Sequence, residues 1–323
     1  MIILTGGAGF IGSVLLKRLN DSGHSDILVV DALDSTEKWK NLAGKKFEDY
    51  CHKDDFLEFL EDTVEKEDVE AIFHLGACTS TTETDVDYLM LNNYHFSQEL
   101  AEWCIWAEKP FIYASSAATY GDGTMGFSDD NSRIAEYRPL NPYGFSKHIF
   151  DQWLIGHKFD ERCTGFKFFN VFGPNEYHKG DMASLIYKAY SQVLETGELK
   201  LFRSYNTQYQ DGEFLRDFIY VKDCVDVLMW SFEHPDVKGI FNLGTGKARS
   251  WNDLASALFA SMNKEKRIKY VDMPENIRPA YQYFTQAEMG KLQKAGYAKS
   301  FTELENAVQD YVQGYLMQSR NYL

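Results

Sequence analysis

The chain has 323 residues, 44% hydrophobic and 15% aromatic, enough for one large α/β domain or a domain with an added lobe. A formal net charge of −15 makes the surface as a whole repel nucleic acid and anionic membrane, so an anionic ligand would have to be met by local Lys and Arg. The five cysteines are widely spaced and form no C-x-x-C pair, which supports neither a zinc site nor a redox motif and fits a reducing compartment.

Met1 runs straight into the apolar "IILTG" (2–6), which reads as a first strand rather than a signal peptide. "ILVVDA" (27–32), "AIFHLGA" (71–77), "PFIYASSA" (110–117) and "FKFFNVFG" (166–173) are further short apolar runs that read as buried strands. Helix-like stretches such as "FIGSVLLKRLNDSG" and "NYHFSQELAEWCIWAEK" separate them. This alternation predicts a doubly wound parallel (Rossmann) sheet, an α/β fold with a smaller α/β lobe for substrate. In the second half, 180–197 reads as a helix ending at Gly197, 205–213 as a loop, 216–234 as a strand followed by a helix, and 240–246 as one more strand. Ser250 is a candidate N-cap for the helix that follows, and another helix is expected near 301–318. The expected division is a dinucleotide-binding domain over 1–174 that also receives roughly 214–246, with 175–213 and 247–323 forming the lobe. No apolar run is long enough to span a membrane, and a cytoplasmic protein is expected.

"TGGAGFIG" (5–12) joins the first strand to the first helix, with Gly6, Gly9 and Gly12 in the spacing G-x-x-G-x-x-G. Glycines let the backbone turn tightly and approach a pyrophosphate, which the helix N-terminus then receives. Asp31 ends the next strand, where an acidic residue holds the adenosine ribose. Alone it favours NAD, while Lys38 and Lys53 nearby could offset its repulsion of a 2′-phosphate, so electrostatics leaves the choice open. "NPYGFSKHIFDQWL" (141–154) places Tyr143 and Lys147 at i, i+4 on one helix face. An ammonium beside the phenol is expected to favour its phenolate and bring Tyr143 into range for proton transfer. Ser115 and Ser116 end a strand on the side where ligands gather in open α/β sheets. Lys179, in "YHKGDMAS" (177–184), reads on its own as a solvated loop residue or a diphosphate contact.

The glycine turn, the Ser-Ser-x-x-x-Tyr-Gly run, Tyr-x-x-x-Lys and "NVFGP" together resemble the extended short-chain dehydrogenases/reductases that act on nucleotide sugars. Dehydratases of that family carry an Asp-Glu pair where this chain has Ala117 and Ala118, which disfavours elimination of water. The stretches 73–83, 91–97, 178–184 and 281–297 are similar to the branch that inverts C6″ of an ADP-heptose during lipopolysaccharide-core synthesis. The resemblance implies NADP, with NAD possible, bound by Phe10, Ile11, Asp31, Ala32, Lys38, Lys53, Leu75, Gly76, Ala77, Cys78, Thr79, Asn92, Lys147, Val171 and Lys179. It implies substrate contacts from Asn170, Asp181, Lys188, Phe202, Arg203, Ser204, Tyr205, Arg216 and Tyr281. Ser116, Tyr143 and Lys147 would be catalytic, and Lys179 would be the second acid–base group needed once the substrate carbonyl turns its other face. A guanidinium can bind phosphate oxygens in two places, so Arg216 is the expected diphosphate clamp, against a surface ion pair with Asp217 or Glu213. Asp181 and Lys188 stand where other members have Ser and His, and Leu75 where glutamate can stand. A homo-oligomer, pentameric by the same resemblance, is implied. The competing expectations are another nucleotide-sugar epimerase or reductase, which would not need Lys179, and a cofactor-binding regulator, which usually loses the Tyr–Lys pair.

Overall fold

The computed structural model describes residues 1–275, 278, 281–318 and 322–323. Its strands are β1 (Ile2–Thr5), β2 (Ile27–Asp31), β3 (Asp49–His52), β4 (Ala71–His74), β5 (Phe111–Ser116), β6 (Thr164–Phe168), β7 (Asn170–Phe172), β8 (Leu199–Phe202), β9 (Leu215–Tyr220), β10 (Gly239–Leu243), β11 (Ala248–Ser250) and β12 (Ile268–Val271). Its α-helices are α1 (Phe10–Asp21), α2 (Phe56–Asp62), α3 (Val86–Leu89), α4 (Phe96–Ala107), α5 (Pro142–Gly156), α6 (Leu185–Thr196), α7 (Val221–Glu233), α8 (Trp251–Ser261), α9 (Gly290–Lys294) and α10 (Leu304–Tyr311).

Seven strands form one parallel sheet in the order β10-β6-β5-β4-β1-β2-β3. Alternate residues of each strand enter opposite layers. Ile2, Leu4 and Val29 pack with Leu15 and Leu19 of α1 and Val225 and Leu228 of α7. Ile3, Leu28, Val30 and Ile72 pack with Leu100 and Cys104 of α4 and Phe150 and Leu154 of α5. Helices on both faces explain why the strand sequences read as continuous apolar runs. Strand order reverses between β1 and β4, and a crevice opens there at the carboxyl ends of the strands. Smaller sheets flank it: β11-β9-β7 and β12-β8.

Four details differ from the sequence expectations. β3 carries the polar run "DYCH" at the sheet edge and never presents an apolar signal. The stretch 166–173 is two strands, because β6 stays in the main sheet while β7 turns off to pair with β9. The helix expected from 180 begins at Leu185, since Gly180 takes φ +51 and ψ −123 and Ser184 caps the helix by accepting from the Tyr187 N–H. The long helix before residue 107 opens with a π-helical turn at Met90–His95. The expected Ser250 cap and the helix end at Gly197 are both found. Among the described residues, no helix is long and apolar enough to cross a membrane.

Candidate functional site

The crevice is a cleft of about 1110 Å3 running from the glycine turn across the ends of β4, β5 and β6 to β8 and α8. Gly6 holds φ +70, and a Cβ there would come within 2.6 Å of the Gly76 amide nitrogen. A Cβ on Gly12 would stand 2.1 Å from the Gly6 carbonyl oxygen. Only glycines allow this approach. The helix they introduce has Gly9 as its N-cap, with no side chain bonding the first amides and no acidic residue in its first turn. That leaves the first-turn N–H groups to a ligand phosphate. A dinucleotide therefore fits this turn. At the end of β2, Asp31 accepts from the Ala8 and Ala32 amides at 2.9 and 2.8 Å and from Lys38 Nζ at 2.5 Å.

The expected catalytic pair stands on α5. Asn141 caps that helix by accepting from the Gly144 N–H at 2.8 Å, and Pro142 occupies its first turn. Tyr143 and Lys147 follow one turn apart, and both line the cleft with Ser116. Burial raises the Tyr143 phenol above its ordinary range, and a hydrogen bond with Ser116 opposes the rise. The expected lowering by Lys147 is not found. Burial brings Lys147 itself down to about 8, with Asp151 opposing. The Lys147 ammonium has no hydrogen-bond acceptor among the described residues and lines the cleft.

Beneath this pair lies a buried polar network that the sequence did not reveal. Asp151 accepts from Tyr113 at 2.9 Å and Ser115 at 2.7 Å, and pairs with Lys167, which also donates to Thr119 at 2.8 Å. Ser115 thus faces inward, while Ser116 meets Tyr143. Asn93 was missed as well. Its side chain accepts from the Cys78 N–H at 2.8 Å and donates to the Cys78 carbonyl at 2.9 Å and Ser146 Oγ at 3.1 Å. It pins the 75–79 loop to the helix carrying the catalytic pair. Its available signal was helical spacing with the buried Leu89 and Ser97.

Lys179 approaches from the loop between β7 and α6. Its Nζ lies 5.5 Å from the Phe10 ring centroid, and burial lowers its pKa while Glu176 opposes. Glu176, 1% exposed, accepts from Ser184 N–H at 2.5 Å and Ser184 Oγ at 2.7 Å, binding the loop to the start of α6. Asn175 and His178 anchor the same loop through Asn41.

The cleft gathers Gly6, Gly9, Phe10, Ile11, Gly12, Asp31, Lys38, Leu75, Gly76, Ala77, Cys78, Thr79, Ser116, Tyr143, Lys147, Asn170, Val171, Lys179, Lys188, Phe202 and Tyr281. It does not gather eight other expected residues. Lys53 pairs with Asp54. Ala32 and Asn92 sit outside the lining, and the Asn92 amide donates to Asn93. Asp181 is exposed and offers only its carbonyl, to Lys188 at 3.1 Å. Arg203 and Tyr205 turn toward Asp272, and Ser204 is bonded within its own loop. Arg216 is buried behind the lining, donating to the Leu215 and Gln282 carbonyls, and forms neither of the ion pairs considered above. Among the described residues, five lysines (38, 147, 179, 188 and 200) line the cleft against the single carboxylate of Asp31. Local charge thus reverses the acidic balance of the chain and suits an anionic ligand.

A glycine-cradled dinucleotide turn leading to a Ser–Tyr–Lys set is the arrangement that a nicotinamide-dependent enzyme acting at a hydroxyl-bearing carbon would need. The chain matches the NAD dependent epimerase/dehydratase family over residues 2–244 and belongs to it. It is 52% identical to an ADP-L-glycero-D-manno-heptose-6-epimerase from Nitratidesulfovibrio vulgaris strain Hildenborough, covering 98% of each chain. A protein of the same name from Fusobacterium nucleatum is 45% identical over the full length of both. Among solved structures, the Helicobacter pylori ADP-L-glycero-D-manno-heptose-6-epimerase superimposes with a TM-score of 0.81 at 28% identity, covering 97% of this chain and 95% of that one.

Proposed function

We propose that this chain interconverts ADP-D-glycero-β-D-manno-heptose and its L-glycero epimer, a step of lipopolysaccharide-core heptose synthesis, by oxidising C6″ to a ketone and reducing it on the opposite face. The observation that carries this reading is that one cleft receives two separately supported proton-handling groups, Tyr143 and Lys179, and no carboxylate at Ala117 or Ala118. An enzyme that reduces only one face needs the first group alone. The full-length identity to heptose epimerases selects the substrate.

The bound nicotinamide supplies the hydride acceptor and donor. In one substrate orientation, Tyr143 exchanges the proton of the C6″ oxygen, with Ser116 hydrogen-bonded to its phenol and Lys147 supplying the nearby charge. In the other, the oxygen turns toward Lys179, whose desolvation brings an amine closer to the neutral base that proton transfer requires. Lys188 and Lys200 receive the diphosphate. Lys38 supports NADP over NAD, because it already neutralises the Asp31 carboxylate that would repel a 2′-phosphate. Residues 175–213 and 247–323 act as the substrate lobe. The protein works in the cytoplasm as a homo-oligomer, pentameric by family resemblance; sedimentation tests that number.

Purified protein given ADP-D-glycero-β-D-manno-heptose and no added reductant should form the L-glycero epimer. Turnover of a UDP-hexose with no action on the heptose would contradict the reading.

A further inference from the structure

Lys179 stands in a 3-10 turn, Tyr177–Met182, that breaks at Gly180, so tertiary contacts must fix where its amine sits. Two of those contacts come from the far end of the sequence. The Leu323 N–H donates to Asn175 Oδ1 at 2.9 Å, and the Leu323 main-chain oxygen accepts from Lys45 Nζ at 2.5 Å. Lys45 also donates to the Asn41 carbonyl at 2.6 Å. The Tyr322 ring stands edge-on to the Tyr177 ring, with centroids 5.1 Å apart. Both residues are half-buried, and Leu323 packs against the core cluster that holds α1 and α7.

Asn175 carries these contacts onward. It is fully buried and holds φ +77, a left-handed conformation that asparagine tolerates better than most side chains. Its Nδ2 donates to Ser13 Oγ at 2.9 Å, and Ser13 Oγ donates to the Phe10 carbonyl at 3.1 Å. The Phe10 ring is the one that faces Lys179 Nζ. From the other side, Asn41 Nδ2 donates to the Asn175 and Ala8 carbonyls at 3.1 and 2.9 Å. Residues 322 and 323 thus grip the loop at 175 and 177, just ahead of Lys179, and the same bonds tie it to the glycine turn. Both grips fall on neighbours of Lys179 and leave its side chain in the cleft lining.

We propose that Tyr322 and Leu323 are positioning residues for the second side of the reaction: docked on Tyr177 and Asn175, they set where Lys179 presents its amine to the substrate. A catalytic group displaced by about 1 Å can lose about 10²-fold in rate, and this one stands on no long helix or strand. The inference rests on the acid–base reading of Lys179 and adds to it the residues that hold the loop.

The test compares the native protein with Tyr322→Ala, which removes the ring, and Tyr322→Phe, which keeps it. Tyr322→Ala should lower kcat about tenfold, with KM and bound cofactor changed less than about twofold, and Tyr322→Phe should stay within about twofold of native. Leu323→Pro, which removes the N–H given to Asn175, should act as Tyr322→Ala does. On a Lys179→Ala background, adding Tyr322→Ala should lower kcat by less than about twofold more, because its effect passes through the lysine. Hydrogen exchange at the amides of 177–183 should quicken in Tyr322→Ala while those of α5 hold. An intact kcat in Tyr322→Ala where Lys179→Ala is impaired, an equal loss on both backgrounds, or unchanged exchange in the loop overturns the proposal. If Lys179→Ala alone turns over at the native rate, the acid–base reading falls, and faster exchange at 177–183 in Tyr322→Ala would still leave the hold of residues 322 and 323 on the loop standing.

Discussion

Tyr143 and Lys179 reach the same cleft on supports of opposite kind. Tyr143 stands in the first turn of a capped helix laid on the main sheet, above the buried Asp151–Lys167 pair. Lys179 stands on a loop that interrupts its helical turn at Gly180 and is held by the distant Asn41 and by the local Glu176–Ser184 bonds. Both are desolvated, and the lysine on each side, Lys147 beside Tyr143 and Lys179 itself, has a carboxylate outside the cleft lining that opposes its burial, Asp151 and Glu176 respectively. Burial is the largest influence on both sides, but only the first rests on regular secondary structure. The loop side has the freedom to be set by a few hydrogen bonds, and it is where a single carboxylate governs both position and basicity.

Perturbing each side in turn sharpens that contrast. Tyr143→Phe should lower kcat about 10³-fold with cofactor still bound, since it removes the proton-transferring hydroxyl while keeping the buried ring; near-native turnover would refute its role. Asp151→Asn should destabilise the protein by about 3 kcal/mol in urea unfolding, because Lys167 is left buried without its anion. A loss below about 1 kcal/mol would show that the network is not what supports this side. Lys179→Ala should lower kcat about 10²-fold with KM changed less than about threefold, whereas a raised KM with intact kcat would make it a binding residue. The smallest effect is expected from Glu176→Gln. Glu176 raises the Lys179 pKa against burial, so removing its charge lowers that pKa further. The neutral amine then persists to lower pH, and the acid limb of the rate profile should move to lower pH with only a several-fold loss of kcat. An unmoved or upward-shifted limb would uncouple the two residues.

The same contrast decided what the sequence could reveal. The glycine turn and the Tyr143–Lys147 pair are local, at spacings that helix geometry makes meaningful, and both could be read directly. Lys179 has no such spacing to a partner, so its proposed role as a second acid–base group rests on family resemblance. Asp151–Lys167 and Asn93–Cys78 join different elements 16 and 15 residues apart, and no local spacing marks either pairing. Arg216 was expected to face a diphosphate, but β9 places it beneath two rings whose relation to it arises only on folding. β3 was missed because a polar edge strand lacks the apolar run that marks its neighbours.

In the proposed reaction, hydride leaves C6″ and returns to the same carbon while protons pass through Tyr143 and Lys179. Substrate deuterated at C6″, turned over by the purified protein in ordinary water, tests it most directly. The account predicts an L-glycero product that retains its deuterium at C6″. Replacement of that deuterium by solvent hydrogen would mean that the carbon had been deprotonated, and would contradict it.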